Sequence, residues 1–409
     1  MFVGDLDMGM RLLVVHERFG AFGGAEENIL SVAVELKQRG HAIGILHGTG
    51  TGKREEAWRE AFTAQFPLSS RNNASVVQRA LADFRPDVIY VHKMPDLGVL
   101  EELVAMEVPL VRMVHDHDLY CMRSCKYSYF SRTICTRPLS PYCVFPCGAF
   151  VARNHEGRPP FKWVSYSAKK REIELNRRFH RLIVNSRYVG AELLYNGFAV
   201  VKIELHLLVP NSNAVGERSS FSDRNLIIYA GQIVRGKGVD VLLESLARVR
   251  APFECFILGD GNHRSSCEQL SRKLGLADRV QFKGYVPAEE LNNYYREASL
   301  VVVSSVWPEP FGMVGIEAMR HGLPIVAFDA GGIKEWLIDG DNGYLVPWMD
   351  RVRYAARVEE LLQNKTLARQ MGGRGLLLVS AQYDFSRYIN GLEKLFARVV
   401  EEAQCGVCT

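Results

Sequence analysis

The stretch Trp307-Pro308-Glu309-Pro310-Phe311-Gly312-Met313-Val314-Gly315-Ile316-Glu317-Ala318-Met319 separates two carboxylates by seven residues and changes backbone character between them. Pro308 and Pro310 keep Glu309 out of regular helix, Gly312 permits a tight turn, and a helical pattern begins near Met313. A helix start presents unpaired amides, and its dipole favours negative charge. The backbone of Gly312, Met313 and Val314 can therefore receive an anionic diphosphate. Glu317 lies about one turn into the helix, and helical side chains lean back toward the N-terminus, so its carboxylate can reach a ribose hydroxyl pair on the same ligand. Glu309, in the loop, is placed to meet a sugar.

Outward from this stretch, short apolar runs alternate with helical or loop segments. Arg11 to His16 reads as a buried strand, Gly24 to Arg39 as a helix ending at Gly40, and His41 to His47 as the next strand. Val88 to Val91, Leu110 to Val114 and Leu182 to Val184 continue the series. The rhythm restarts at Leu226 to Tyr229, followed by a helix from Val239 to Val249, a strand from Glu254 to Leu258 and a helix around Cys267 to Leu274. Strands at Val280 to Phe282, Leu300 to Val303 and Pro324 to Ala327 follow. Such alternation predicts parallel sheets covered on both faces. The expected class is α/β, with two Rossmann-like, doubly wound domains. The polar segment Asn211 to Arg224 is the best linker. Ligands of such sheets bind beyond the carboxyl ends of the strands, so the two domains are expected to face one cleft.

These residues resemble the retaining GT-B glycosyltransferases, specifically the large family 4. The glutamate pair matches that family's E-x7-E motif. Similar segments run from Leu12-Leu13-Val14-Val15 and Gly23-Gly24-Ala25-Glu26, through Asn185-Ser186-Arg187 and Pro210-Asn211, to Gly236-Lys237-Gly238, Gly259-Asp260-Gly261 and Gly331-Gly332-Ile333. The resemblance covers nearly the whole chain. It implies a GT-B architecture with an acceptor domain over residues 1–212 and a nucleotide-sugar donor domain over 213–384. A last helix over residues 385–409 is expected to cross back onto the first domain.

By the same resemblance, Lys237 is the cation that stabilises the departing diphosphate, and His115 at the end of its strand binds a donor sugar hydroxyl. Glu309 and Lys237 join His115 as catalytic candidates. Gln232, Arg235, Gly261, Tyr285, Val286, Gly312, Met313, Val314 and Glu317 are the donor-binding set, with Tyr285-Val286 and the Gly259 turn bordering the base. Gly331 to Glu335 is expected to start another helix near the diphosphate. Gly23 and Gly24 form a loop for phosphate or acceptor; they are not the G-x-G-x-x-G dinucleotide fingerprint, which argues against NAD. The family usually carries an arginine where this chain has Gln232, so either Arg235 or the helix-start amides must supply the missing positive character.

The resemblance implies a hexose-type sugar moved from a nucleoside diphosphate sugar to a saccharide or lipid-linked acceptor, with no metal and no resident cofactor. A sugar-nucleotide epimerase, a phosphorylase, or a non-catalytic sugar-nucleotide-binding protein on the same scaffold are the alternatives.

The net charge of +4 over 409 residues is too small to suggest a nucleic-acid partner. Charge is instead local: between Val151 and Arg187 ten Lys or Arg face three glutamates. That segment could rest on anionic lipid or present a solvated helix face. Neither an export signal nor a membrane span is expected from the chain's apolar runs, and a cytoplasmic place, or one on the cytoplasmic membrane face, is expected. Its nine cysteines are then expected to be mostly reduced. Five of them, Cys121, Cys125, Cys135, Cys143 and Cys147, follow His115-Asp116-His117-Asp118 at spacings x3, x9, x7 and x3. A structural metal, a metal-free acceptor loop and redox pairing all remain open for them. Asp116-His117-Asp118 mimics the metal-binding D-x-D of the other transferase fold, a function the two-domain resemblance argues against. Cys405 and Cys408, at C-x-x-C spacing near a fraying terminus, are read as incidental.

Overall fold

A computed structural model describes residues 9–69, 72–128, 131–153, 161–210, 218–222 and 224–406. Most of the linker Asn211 to Arg224, the basic residue Arg158, the leader acids Asp5 and Asp7, and Cys408 lie outside the described residues. The chain divides into two compact units. The first comprises Met1–Ser124, Arg137–Leu207 and Ser386–Thr409; the second comprises Cys125–Thr136 and Leu208–Phe385.

The strands in chain order are β1 (Arg11–Phe19), β2 (Ala42–Gly50), β3 (Ala64–Pro67), β4 (Val88–Lys93), β5 (Leu110–Val114), β6 (Val151–Arg153), β7 (Phe161–Trp163), β8 (Arg181–Val184) and β9 (Ile203–Leu205), then β10 (Leu226–Ala230), β11 (Glu254–Leu258), β12 (Val280–Gly284), β13 (Leu300–Val303), β14 (Ile325–Phe328) and β15 (Gly343–Val346). The first unit holds a seven-stranded sheet in the order β3-β2-β1-β4-β5-β8-β9, and the second a six-stranded sheet in the order β12-β11-β10-β13-β14-β15. Neighbours within both sheets pair in parallel. Both sheets are therefore doubly wound, as the alternating pattern predicts.

Continuous apolar runs make the central strands, because helices cover both faces of each sheet. Leu12, Leu13, Val15, Ile89 and Val91 are fully buried in the first unit, as are Ile227, Ile228, Val301 and Ile325 in the second. Polar residues begin where these runs end: His16 follows Val15, His92 follows Val91, and His115 follows Val114. The first core packs Leu13, Val15, Ile89 and Val91 against Val77, Val99 and Leu103 from the covering helices and Phe179 from the bend before β8.

The helix Phe385–Gln404 belongs almost wholly to the first unit. Its Phe396 ring meets Tyr90 edge to face at 5.0 Å. Glu393 receives Arg39 at 2.8 Å and His41 at 2.9 Å, and Glu402 receives Arg181 at 2.7 Å. In the opposite sense, Cys125–Thr136 is drawn from the first half of the sequence into the second unit, where Arg132 pairs with Asp240. The described end of the expected linker is likewise packed: Ser219 donates its amide to the His321 carbonyl at 2.9 Å, and Phe221 is buried.

Candidate functional site

In each sheet the strand order reverses between its first and fourth strands in chain order, β1 and β4 in one unit, β10 and β13 in the other. Loops leaving the two sides of such a switch point diverge and leave a crevice. The candidate residues gather at both switch points.

In the second unit, β10 leads into a 3-10 turn, Arg235–Lys237, and β13 leads into the loop carrying Glu309. Trp307 lies directly over Gly236, so closely that a Cβ there would stand 2.4 Å from the indole. The Gly236 carbonyl accepts the amides of Val306 at 2.9 Å and Trp307 at 3.0 Å. The two loops are thereby locked together. Glu309 is 4% exposed and its backbone is clamped, donating to the Ala330 carbonyl at 3.1 Å and accepting from the Gly332 amide at 2.7 Å. Gly331 makes that clamp possible: its φ is +72°, and a Cβ would lie 2.4 Å from the Glu309 carbonyl oxygen.

The Glu309 carboxylate is used asymmetrically. Oε1 accepts from Lys237 Nζ at 2.6 Å, from Trp307 Nε1 at 3.1 Å and from the Ser305 hydroxyl. Oε2 accepts no hydrogen bond among the described residues. Burial alone pushes this carboxyl up, but the Lys237 ammonium and the three donors outweigh it and hold it below the usual glutamate range. Glu309 is therefore an anion at neutral pH with one oxygen still open.

Gly312, with φ +90°, turns the chain into the helix Met313–Arg320. The Trp336 indole lies against Gly312 and Gly315 and donates to the Phe311 carbonyl at 2.7 Å, fixing the helix start. The amides of Met313 and Val314 donate to nothing among the described residues. Glu317, half-buried, makes no hydrogen bond or ion pair among the described residues. Burial raises its carboxyl above the ordinary range, with Arg320 pulling only partly the other way.

Three further loops join the same edge. Ile233 exchanges backbone bonds with the Asp260 carbonyl at 2.8 Å and the His263 amide at 3.0 Å, which sets Gly261 against it. Gly259 donates to the Gly284 carbonyl at 2.7 Å, and Tyr285, next in sequence, is 78% exposed, with Val286 half-buried beside it. Gln232 and Arg235 are both exposed. Gly332–Glu335 forms a single 3-10 turn, so the helix start expected there is short.

In the first unit, three buried or half-buried histidines follow the apolar runs of β1, β4 and β5: His16 within β1, His92 near the end of β4 and His115 just after β5. His92 Nδ1 and His115 Nε2 are 2.8 Å apart with nearly parallel rings, and His16 meets the His92 ring edge-on at 6.4 Å. Burial pushes His92 well below the ordinary histidine range. Burial, with the neighbouring His16, Arg112 and Lys93, brings His115 down to about 3 despite Glu26. Both rings are neutral at pH 7, so one nitrogen of the pair donates and the other accepts. The Asn185 side chain holds the His115 carbonyl at 3.2 Å, while Ser186 caps the next helix through the Val189 amide at 3.1 Å.

Gly23 caps the helix Gly24–Gln38; its amide donates to Glu26 Oε2 at 2.9 Å, and Glu26 Oε1 meets His16 Nε2 at 3.2 Å. Glu26 thus ties the glycine loop to β1. His16, Glu26 and His92 carry no role in the sequence reading, although a polar residue directly after each apolar run marks His16 and His92 as it does His115.

Asp118 does not stand open to a ligand: Lys93 and Lys169 each approach it at 3.9 Å, and Ser124 donates to it at 2.7 Å. Burial raises its carboxyl, but these cations lower it further, and its neighbour Asp116 is raised by burial and by Asp118. Among the described residues no three His, Cys, Asp or Glu gather as metal ligands. Cys125 and Cys135 fall in the second unit and Cys121, Cys143 and Cys147 in the first.

The basic segment 151–187 is less open than its composition suggests. Lys169 pairs with Glu172 at 2.7 Å, Arg171 with Glu101 at 2.9 Å and Arg181 with Glu402, while Arg177 donates to the Asn196 carbonyl at 2.7 Å.

Comparison with known proteins agrees with this geometry. The family model "Glycosyltransferase Family 4" matches residues 22–205, and "Glycosyl transferases group 1" matches residues 213–376. An alpha-D-kanosaminyltransferase of Streptomyces kanamyceticus is 34% identical over 42% of this chain and 45% of its own length. A D-inositol 3-phosphate glycosyltransferase of Mycolicibacterium smegmatis is 30% identical over 54% of each chain. The chain thus spans about half the length of the curated relatives it matches. The structure of Anabaena HepE in complex with UDP and glucose superposes with a TM-score of 0.72 at 19% identity, over 95% of this chain and 99% of that one. Sucrose-phosphate synthase from Thermosynechococcus elongatus superposes at 0.73 and 17% identity, over 95% and 99%.

Two predictions follow from the contacts. Lys237→Met leaves a buried carboxylate without its cation and destabilises the second unit by about 3 kcal/mol in urea unfolding, and adding Glu309→Gln recovers most of that loss. Because Glu309 is held below its unfolded range, its stabilisation is present above the unfolded pKa and fades as acid carries the pH through the folded value; the Lys237→Met penalty shrinks over that window. His92→Phe removes the hydrogen-bond partner of His115 Nε2 and destabilises the first unit by about 1 kcal/mol in urea unfolding, whereas His92→Gln keeps a hydrogen-bonding group there and recovers part of the loss.

Two family models that between them span both halves, and a fold shared over nearly the whole length, place this chain in family 4, group 1, of the GT-B glycosyltransferases.

Proposed function

We propose that the chain is a retaining, metal-independent glycosyltransferase that moves a hexose-type sugar from a nucleoside diphosphate donor to a saccharide or lipid-linked acceptor. The observation that carries this reading is the divided Glu309 carboxylate, one oxygen saturated by Lys237, Trp307 and Ser305 and the other open beside an unpaired helix start. A buried anion held in this way can accept a sugar hydroxyl through Oε2 without reorganising. The amides of Met313 and Val314 receive the diphosphate, and the Lys237 ammonium, 25% exposed, shares its remaining protons with it. This combination answers the departure at Gln232: the charge expected there is supplied by the helix start and Lys237, with exposed Arg235 at the rim.

In the proposed step the bond from the anomeric carbon to the β-phosphate oxygen breaks and a bond to the acceptor oxygen forms on the same face. The acceptor proton passes to the departing phosphate oxygen. His115 is not the base, because burial holds its pKa near 3 and leaves the ring a poor proton acceptor. It binds the sugar as a neutral hydrogen-bonding group. Glu317 binds the ribose hydroxyls, and Gly23-Gly24 receive phosphate or acceptor. The curated relatives act on sugars according to their names, and the HepE structure holds UDP and glucose, which supports a uridine or related nucleotide here.

Glu317→Gln tests the ribose role by two opposite changes. A carboxyl raised in the fold is less stable charged, so at pH 7 the variant melts at a higher temperature than the parent, and the gain shrinks as the pH falls through the folded pKa and is gone below the unfolded one. The same variant binds nucleoside diphosphate about tenfold to a hundredfold more weakly in calorimetry, the loss of a charged hydrogen bond. Unchanged affinity removes Glu317 from the ribose.

Incubation with a panel of nucleotide sugars and acceptors, in the presence of chelator, tests the reaction. The expected product keeps the donor's anomeric configuration by NMR and needs an acceptor. Inverted product, acceptor-free isomerisation, or a requirement for inorganic phosphate would each replace this reading.

A further inference from the structure

Tyr295, on the helix Ala288–Glu297, is only 1% exposed, yet its hydroxyl makes no hydrogen bond among the described residues. A buried hydroxyl without a partner is destabilising, and phenylalanine would fill the same space without that cost. Several buried polar atoms of this fold lack a partner, so the neighbourhood decides whether one matters. The Tyr295 ring lies against the His321 ring with centroids 5.3 Å apart, and His321 Nε2 meets Asn292 Oδ1, on the Tyr295 helix, at 3.1 Å. His321 closes the helix Met313–Arg320, and Glu317 stands one turn before it on the same face. The Tyr295 hydroxyl feels that carboxylate. Burial first, and the Glu317 charge second, push the phenol well above the ordinary tyrosine range, so it keeps its proton at pH 7 and remains a donor.

Glu317 has the complementary need. It is half-buried, makes no hydrogen bond or ion pair among the described residues, and carries a carboxyl raised by burial. A ribose laid on it would cover the part that solvent still reaches, and an ionised carboxylate that loses water must gain donors. The ribose hydroxyl pair supplies two on the ligand side. A further donor from the protein side would offset the remaining desolvation and hold the carboxylate in one rotamer. Arg320 is the nearby cation, but its Nη2 donates to the Pro210 carbonyl at 3.1 Å and to the Tyr383 carbonyl at 3.4 Å, and it makes no ion pair with Glu317. The unpartnered phenol is the group left to serve.

We propose that Tyr295 is a positioning residue for the nucleotide: its hydroxyl donates to the Glu317 carboxylate when a ribose engages it, and so aims that carboxylate at the hydroxyl pair. The proposal rests on the assignment of Glu317 to the ribose and adds the donor behind it. Calorimetry with uridine or guanosine diphosphate, and with the 2′,3′-dideoxy analogue of whichever binds, tests it. Tyr295→Phe should weaken the diphosphate about threefold to tenfold and leave the dideoxy analogue, which lacks both hydroxyls, unchanged. In a Glu317→Ala background the same substitution should cost nothing further. The melting temperature of unliganded Tyr295→Phe should not fall below the parent's, because the hydroxyl removed has no partner in that state. Parent affinity in Tyr295→Phe, equal losses for the two ligands, or the full loss persisting beside Glu317→Ala would overturn the proposal. So would a lower melting temperature with affinity intact, the mark of a hydroxyl that serves the fold alone. If Glu317→Ala weakens the diphosphate while Tyr295→Phe is silent, only the role of Tyr295 falls. A silent Glu317→Ala, or a parent that binds neither nucleotide, removes the ribose assignment and this role with it.

Discussion

The contact between Lys237 and Glu309 organises the second unit's functional edge. A carboxylate buried to this degree is costly unless its charge is compensated, and the compensation comes from a lysine 72 residues earlier on the opposite side of the switch point. Forming that pair requires both loops to take one arrangement. Gly236 must lie flat under Trp307, and Gly331 must adopt a left-handed turn to clear the Glu309 carbonyl. The sheet supplies the divergent loops, and the ion pair draws them together. What remains outside the pair, the second carboxylate oxygen and the unpaired amides after Gly312, is what a ligand can use.

The first unit solves a different electrostatic problem. Its strand ends bury three histidines, and burial among Arg112, Lys93 and one another keeps His92 and His115 neutral. Charge is instead concentrated one layer away, where Lys93, Asp118, Lys169, Glu172 and Arg112 neutralise each other in succession. A neutral imidazole whose one nitrogen is already committed offers a hydrogen bond of fixed sense. That suits recognition of a hydroxyl better than transfer of a proton.

The fold was largely legible because buried parallel strands write themselves as unbroken apolar runs: Leu110–Val114, Glu254–Leu258 and Leu300–Val303 fall where the pattern places them. The edge strands β3, β9 and β15 were not, although β12, also at an edge, was. Ala64–Pro67 and Ile203–Leu205 are short and half exposed, and their residues carry no such signature. In the site, the glutamate pair and Lys237 could be read from local motifs. The partners of Glu309 at Ser305 and Trp307, and the His16, Glu26 and His92 group, depend on side chains brought together by tertiary packing, which periodicity does not encode. The basic segment shows the reverse error: composition counts charges, but Lys169, Arg171 and Arg181 are absorbed by acids elsewhere in the fold.

The central claim is that a nucleoside diphosphate is held by amides at the start of the Met313–Arg320 helix, with Lys237 and the two glutamates around it. A crystal structure of the protein with uridine or guanosine diphosphate tests this most directly. The account predicts phosphate oxygens within hydrogen-bond distance of the Met313 or Val314 amide and of Lys237 Nζ, and ribose hydroxyls on Glu317. A well-ordered nucleotide bound away from that helix start, with the Glu317 carboxylate untouched, would contradict it.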